Sequence, residues 1–151
     1  MGNSTLMGSP TPNLGILLRL LHQQWTQAID TALDEAGFVD IRPSHSNVLA
    51  FTPSSGIQVS ELSKLSKTRK QSITQAVEEL EKLGYVERRP DPRDKRGRLV
   101  FLTVRGQAVQ PTAMAAGKRI QQNWESVAGK ETIDGLTSTL QLILERLPRG
   151  E

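Results

Sequence analysis

The sequence predicts a mainly α-helical chain with one small β-hairpin, an α+β class. Three observations predict it. Apolar residues near both ends recur at alternating steps of three and four, the period of long helices packed on other helices. Between those ends, two short amphipathic segments flank a turn at Ser66–Thr68. Directly afterwards, two runs of strand formers enclose a stretch rich in Pro, Gly and Arg, which is the composition of a hairpin. At 151 residues the chain is of single-domain size.

The elements follow in order. Residues 1–12 contain no charge and are rich in Gly, Ser, Thr and Pro, so a disordered leader is expected there. The Met-Gly start lacks the Ser or Thr of a myristoylation signal, since position 6 is Leu. A first helix is expected over 13–36, where Leu14, Leu18, Leu21, Trp25, Ala28 and Ala32 form the repeat. Ile16, Leu17, Leu20, Ile29 and Leu33 broaden that stripe, which implies contact on two sides, and Gly37 suits its end. Pro43 and Ser44 open a second helix through about Phe51, with Ser44 in N-cap position. Thr52–Gly56 breaks it, and Ser60–Leu65 forms a third. The fourth runs over about 69–83, with Ile73, Ala76, Val77 and Leu80 on one face and Gly84 beyond its end. Strands are expected at Tyr85–Arg89 and Leu99–Thr103, with the nine residues between them as a long basic tip. Thr103 caps a fifth helix over 104–128, where Pro111 predicts a kink or a late start. A sixth helix over 130–147 carries Ile133, Leu136, Leu140, Ile143 and Leu147 on one stripe.

Charge is concentrated along the chain. The net value is +3, yet residues 58–106 hold 12 Lys/Arg against 7 Asp/Glu, a balance of +5, while the remainder stands at −2. A basic middle between mildly acidic ends indicates one surface that faces a polyanion. The absence of cysteine excludes disulfides, thiolate metal sites and thiol redox chemistry. With only His22 and His45, a catalytic zinc site is not expected, and no other cofactor is indicated. No nucleophile–base pairing or phosphate-binding glycine loop is evident, so an enzyme is not expected. Glu78, Glu79 and Glu81 are expected to form a solvated helix face. No apolar run approaches the ~20 residues of a membrane span, and a cytoplasmic location is expected.

The order helix, turn, helix, basic hairpin carries the functional reading. With Ile73, Ala76, Val77 and Leu80 turned to the body, the fourth helix shows Arg69, Lys70, Gln71, Ser72, Thr74 and Gln75 outward. Arg and Lys suit guanine O6/N7, Gln suits adenine N6/N7, and Ser and Thr suit phosphates or either base type. The hairpin segment 88–98 has six bases (Arg88, Arg89, Arg93, Lys95, Arg96, Arg98) against Asp91 and Asp94. Arginine on a narrow loop can enter the minor groove, and Asp94 is placed to orient the Arg96 guanidinium. A solvated helix face and a solubilising turn are the plainer alternatives, and finding both features in succession outweighs them.

At these residues the chain resembles a known family. Ser60-Glu-Leu-Ser, Ser72-Ile-Thr, Leu80-Glu-Lys-Leu-Gly-Tyr-Val-Glu-Arg88, Asp91-Pro-Arg-Asp-Lys-Arg96 and Leu102-Thr-Val-Arg-Gly106 are similar to the MarR family of bacterial winged-helix regulators. The likeness is tight over 59–106 and looser elsewhere. It implies a winged helix-turn-helix whose N- and C-terminal helices form a dimerisation region. The implied division is a 13–40 dimerisation helix, a 41–106 DNA-binding region and 107–151 C-terminal dimerisation helices. Recognition helices would enter successive major grooves of a pseudo-palindromic operator, with wings in the flanking minor grooves. By position, Arg69 to Gln75 fall on the recognition helix, and Arg93, Asp94, Lys95, Arg96 and Arg98 on the wing. Three departures stand out: Ser66 replaces an apolar residue, Lys67-Thr68 replace a Gly-Val turn, and Gln75 replaces a frequent Arg.

The expected protein is therefore a dimeric, double-stranded-DNA-binding regulator, a repressor in the first reading. The resemblance also implies release by a small aromatic or anionic effector, for which His22, Trp25, Arg42, His45 and Phe51 are the candidate lining. Trp25 equally suits the core and His45 a helix cap. The competing reading is a winged-helix module that binds protein or RNA without operator specificity.

Overall fold

The computed structural model describes residues 12–148; all but the last residue of the expected leader lies outside the described residues. Helix α1 spans Leu14–Glu35. Asn13 caps it, its Oδ1 accepting from the Ile16 amide at 2.9 Å, and Gly37 with φ +94° follows its end, where a left-handed residue closes a helix most easily without a Cβ. A 3-10 turn at Pro43–His45 leads into α2, Ser46–Phe51. Then come α3 (Val59–Ser66), α4 (Lys70–Lys82), strands β1 (Val86–Asp91) and β2 (Asp94–Leu102), α5 (Val104–Ala128) and α6 (Lys130–Arg146).

The core gathers under α4. Ile73, Ala76, Val77 and Leu80 are all within 2% of full burial and pack with Val48, Leu49, Leu62, Tyr85, Val86 and Val100. The 3.6-residue period of α4 thus meets the alternating inward residues of the hairpin. β1 and β2 pair antiparallel from Val86↔Leu102 onward. Ile57 adds a bridge on the other side of β2, exchanging hydrogen bonds with Val100 at 3.0 and 2.8 Å. The hairpin is therefore anchored to the loop before α3.

Long α1 lies along α5. Trp25 tilts against Trp124 with ring centroids 5.6 Å apart. Its indole sits over Gly117, where a Cβ would come within 3.1 Å of the ring. Much of the remaining apolar stripe has no cover: Leu14, Leu17, Leu18 and Leu20 on α1 are exposed, as are Leu136, Leu140 and Ile143 on α6 and Leu147 just past its end.

Three local expectations are corrected. Ser44 does not cap the second helix. It lies inside the 3-10 turn; His45 is the N-cap residue of α2 but makes no side-chain cap bond to it, and its ring Nδ1 instead accepts from the Arg42 amide at the start of the 3-10 turn at 3.1 Å. The hairpin tip is not nine residues long: pairing continues to Asp91↔Asp94, leaving Pro92 and Arg93 as the turn. Pro90 is accommodated because the register shifts beside it, a setting in which proline forfeits no ladder bond that matters. Finally, α5 does not start late: it begins at Val104 behind the Thr103 cap, whose Oγ1 accepts from Gly106 N at 3.1 Å, and carries Pro111 inside it.

Candidate nucleic-acid interface

The turn between α3 and α4 is built from polar side chains. Lys67 adopts φ 53°, the left-handed region, where a non-glycine residue carries strain. Hydroxyls hold the turn around it. Ser63 Oγ donates to Thr68 O at 2.5 Å, Ser66 Oγ to Leu62 O at 2.7 Å, and Asn47 Nδ2 to Thr68 Oγ1 at 3.0 Å. The residues that depart from the family pattern thus replace apolar packing with hydrogen bonds, and α2 is tied to the turn through Asn47.

α4 keeps its apolar face inward, and Arg69, Lys70, Gln71, Ser72 and Gln75 are exposed. Thr74 is half-buried and its hydroxyl donates back to Lys70 O at 2.9 Å. Arg69 occupies the N-cap position with no side-chain cap bond.

In the wing, Arg93, Asp94, Lys95, Arg96 and Arg98 are all exposed. The acids serve the backbone. Asp91 Oδ1 accepts from the Arg93 amide at 2.8 Å, and its Oδ2 accepts from Gln58 Nε2 at 2.9 Å. These bonds hold the Asp91 carboxyl below its usual range, the Arg93 amide first. Asp94 Oδ1 accepts from the Arg96 amide at 3.0 Å, so it orients the Arg96 backbone rather than the guanidinium expected from spacing. Arg88 forms a fork with Glu81 at 2.9 and 3.2 Å, and Arg89 pairs with Glu87 and lies 4.4 Å over the Phe101 ring. Among the described residues Arg93, Lys95, Arg96 and Arg98 form no ion pair. The cationic surface is therefore these four, fewer than the six bases of the segment.

The five candidate effector residues do not converge. His45 is buried at 1% exposure and occupied by the Arg42 amide and Glu79. His22, Arg42 and Phe51 are exposed. Trp25 alone lines a cavity, a groove of about 560 Å³ between α1 and α5 that also includes Ile29, Met114, Gly117, Lys118 and Lys130. Among the described residues no cluster could hold a metal ion, and no helix is long and apolar enough to cross a membrane.

Some structural residues escaped the sequence reading. Of the expected solvated face, Glu78 is exposed, but Glu79 and Glu81 are half-buried and partnered: Glu79 accepts from His45 Nε2 at 2.6 Å, and Glu81 takes Arg88. Tyr85, fully buried, hydrogen-bonds Asp40, and Arg105 covers the Tyr85 ring at 4.1 Å while reaching Asp40 Oδ2 at 3.2 Å. These partners come from distant segments, and no local spacing marks them.

Comparison with known proteins agrees with this geometry. Residues 39–97 match the model described as MarR family. The transcriptional activatory protein BadR of Rhodopseudomonas palustris is 31% identical over 96 residues, covering 64% of this chain; the chain spans about half, 54%, of that protein's length. An uncharacterized HTH-type transcriptional regulator of Bacillus subtilis, YdcH, is 28% identical over 138 residues, 90% of this chain and 92% of that one. A mutant MarR from Escherichia coli, solved in complex with operator DNA, is 27% identical and superimposes with a TM-score of 0.73, covering 87% of this chain and 93% of the other. With the helix-turn-helix, the wing and a structural match over 87% of its length, the chain is similar to the MarR family of winged helix-turn-helix transcriptional regulators.

Proposed function

We propose that this protein is a homodimeric repressor that binds a pseudo-palindromic operator in double-stranded DNA and leaves it when a small aromatic or anionic molecule binds. One observation carries the reading. The two adjacent elements α4 and β1–β2 bury their apolar residues in a common core and expose Arg69, Lys70, Gln71, Ser72 and Gln75 on one and Arg93, Lys95, Arg96 and Arg98 on the other. The first set suits base edges and phosphates in a major groove, the second a minor groove. Thr74, with its hydroxyl turned to its own helix, contributes its methyl group instead.

The exposed apolar stripes of α1 and α6 support pairing with a second copy, because a monomer would leave them in water. A two-fold axis would set two recognition helices one DNA turn apart, roughly 34–36 Å. Residues 13–40 and 107–151 form the dimer framework in this reading, and 41–106 bind DNA. The α1–α5 groove, with the Trp25 ring beside Lys118 and Lys130, is the place in this chain that suits an aromatic anion. Such a ligand acts by favouring a dimer geometry whose helices no longer match successive grooves.

The test is footprinting on the DNA upstream of its own gene at low salt, with and without phenolic acids. Two protected half-sites one turn apart, lost with Arg96→Ala, are expected. The affinity should fall steeply with salt. Absence of protection at low salt, or a flat salt response with Arg96→Ala unchanged, would instead fit a module that binds protein or RNA.

A further inference from the structure

The exposed amide of Gln75 is held by a chain of hydrogen bonds that starts in the turn before α2. The Arg42 amide donates to His45 Nδ1 at 3.1 Å. Nδ1 is therefore an acceptor, and the neutral imidazole carries its proton on Nε2. Nε2 donates to Glu79 Oε2 at 2.6 Å. Glu79 Oε1 accepts in turn from Gln75 Nε2 at 3.2 Å. His45 is buried and Gln75 exposed, so the chain runs from the core to the outer face of α4. Among the described residues, Gln71 and Ser72 on the same face have no side-chain hydrogen bond holding them.

Chemistry sets the direction of this chain. An ionised carboxylate only accepts, and the Glu79 carboxyl is held below its usual range, first by the His45 hydrogen bond and then by Gln75. The Gln75 amide can meet it only through its NH2 group. One N–H is engaged there. When the N–H anti to the carbonyl makes that bond, the syn N–H and the carbonyl Oε1 remain together on one edge of the planar amide. That edge matches adenine, which offers N7 as acceptor and N6–H2 as donor in the major groove. A glutamine without such a partner would lose more side-chain freedom on binding and could turn either edge to the base.

We propose that Glu79, itself aligned by His45, is a positioning residue that presents Gln75 to an adenine, which makes Gln75 the specificity-determining side chain of α4. This rests on the DNA-binding reading above. With glutamine at this position, the chain should read A·T where an arginine would read G·C.

The experiment selects duplexes from a random pool with the full chain. Affinities are then measured for the selected site and for versions with each A·T pair replaced, using the wild type, Gln75→Ala, Glu79→Ala and the double variant. One A·T pair per half-site should matter about tenfold or more to the wild type. Gln75→Ala should abolish that preference. Glu79→Ala should shrink it at least about threefold while raising affinity for all duplexes, since a negative charge leaves the DNA-facing helix. A purely structural defect would lower affinity for every duplex alike. The double variant should discriminate no better and no worse than Gln75→Ala, as expected for one pathway, while keeping the general rise in affinity from the lost charge. Glu79→Gln serves if the alanine variant does not fold by circular dichroism. If a site is enriched but no A·T pair depends on Gln75, or if Glu79→Ala keeps full discrimination, the positioning role is overturned and the DNA reading stands. If no duplex is enriched, both fall.

Discussion

A single methyl group on Gly106 should do more damage than any other small change near the wing. A Cβ built there lies 2.0 Å from Tyr85 O and 3.1 Å from Tyr85 C, against ordinary contact separations of about 3.5–4.0 Å. Both obstacles are backbone, so no rotamer change relieves them. The start of α5 must move away from the hairpin base by more than an ångström. Two hydrogen bonds span that junction: Thr103 N to Tyr85 O at 3.0 Å and Thr103 Oγ1 to Gly84 O at 2.6 Å. Losing them costs about 1 kcal/mol each, and overpacking strain adds roughly 1–3 kcal/mol. Alanine's better helix propensity returns up to about 1 kcal/mol. The expected loss for Gly106→Ala is therefore about 2–5 kcal/mol. Urea unfolding at one fixed protein concentration measures it, because the stability of a dimer depends on concentration. Gly84→Ala is the control: its φ is +83° but nothing lies within 4 Å of the added Cβ, so only conformational strain of about 1 kcal/mol applies. A Gly106→Ala loss no larger than that of Gly84→Ala would refute the steric reasoning.

Two further outcomes follow from the same region and from the turn. Burial and the Asp40 hydrogen bond push the Tyr85 hydroxyl up from 10.0 to about 12. A raised pKa means that the folded state favours the neutral phenol, so this stabilisation is whole below the ordinary tyrosine value and disappears as pH rises through about 12. Tyr85 is the sole tyrosine, so tyrosinate absorbance should titrate near 12 together with loss of helix signal; a midpoint near 10 with the fold intact would sink the assignment. Lys67→Gly should raise stability by about 0.5–1 kcal/mol by removing left-handed strain, net of the added freedom of the unfolded chain, as read by thermal unfolding; destabilisation would show that Lys67 holds the turn by another contact.

Much of the architecture was legible in the residues. The α4 face of Ile73, Ala76, Val77 and Leu80, the Thr103 cap and the glycines at 37 and 84 all obey local rules. The hairpin was placed correctly but its tip was drawn too long, because Pro90, Gly97 and a run of charges signal a loop. The register shift beside Pro90 and the Asp91 and Asp94 side-chain bonds to nearby amides keep Pro90 paired with Arg98 and Asp91 with Asp94, while 95–97 lie unpaired between those two pairs. His45 illustrates a different gap. Its cap of the Arg42 amide was within reach of the sequence, three residues away, but its bond to Glu79, 34 residues away, was not. The candidate effector residues are separated in the single chain for the same reason: apart from Trp25 they are matched by type, and type does not say which helices will enclose a space.

The sequence by itself determined the order of elements, the buried face of each and the region where positive charge gathers. Periodicity, caps and charge are written in neighbouring residues, within one turn of helix or one pair of strands. Only the tertiary structure decided which charged groups face outward and which are matched. Arg88 is taken by Glu81, Arg89 by Glu87, His45 by Glu79 and Asp40 by Tyr85 and Arg105, leaving Arg93, Lys95, Arg96 and Arg98 as the exposed wing cations without an ion pair among the described residues. Such pairings depend on how helices and hairpin pack together, since each carboxylate bonds whichever donor the folded core brings within about 3 Å.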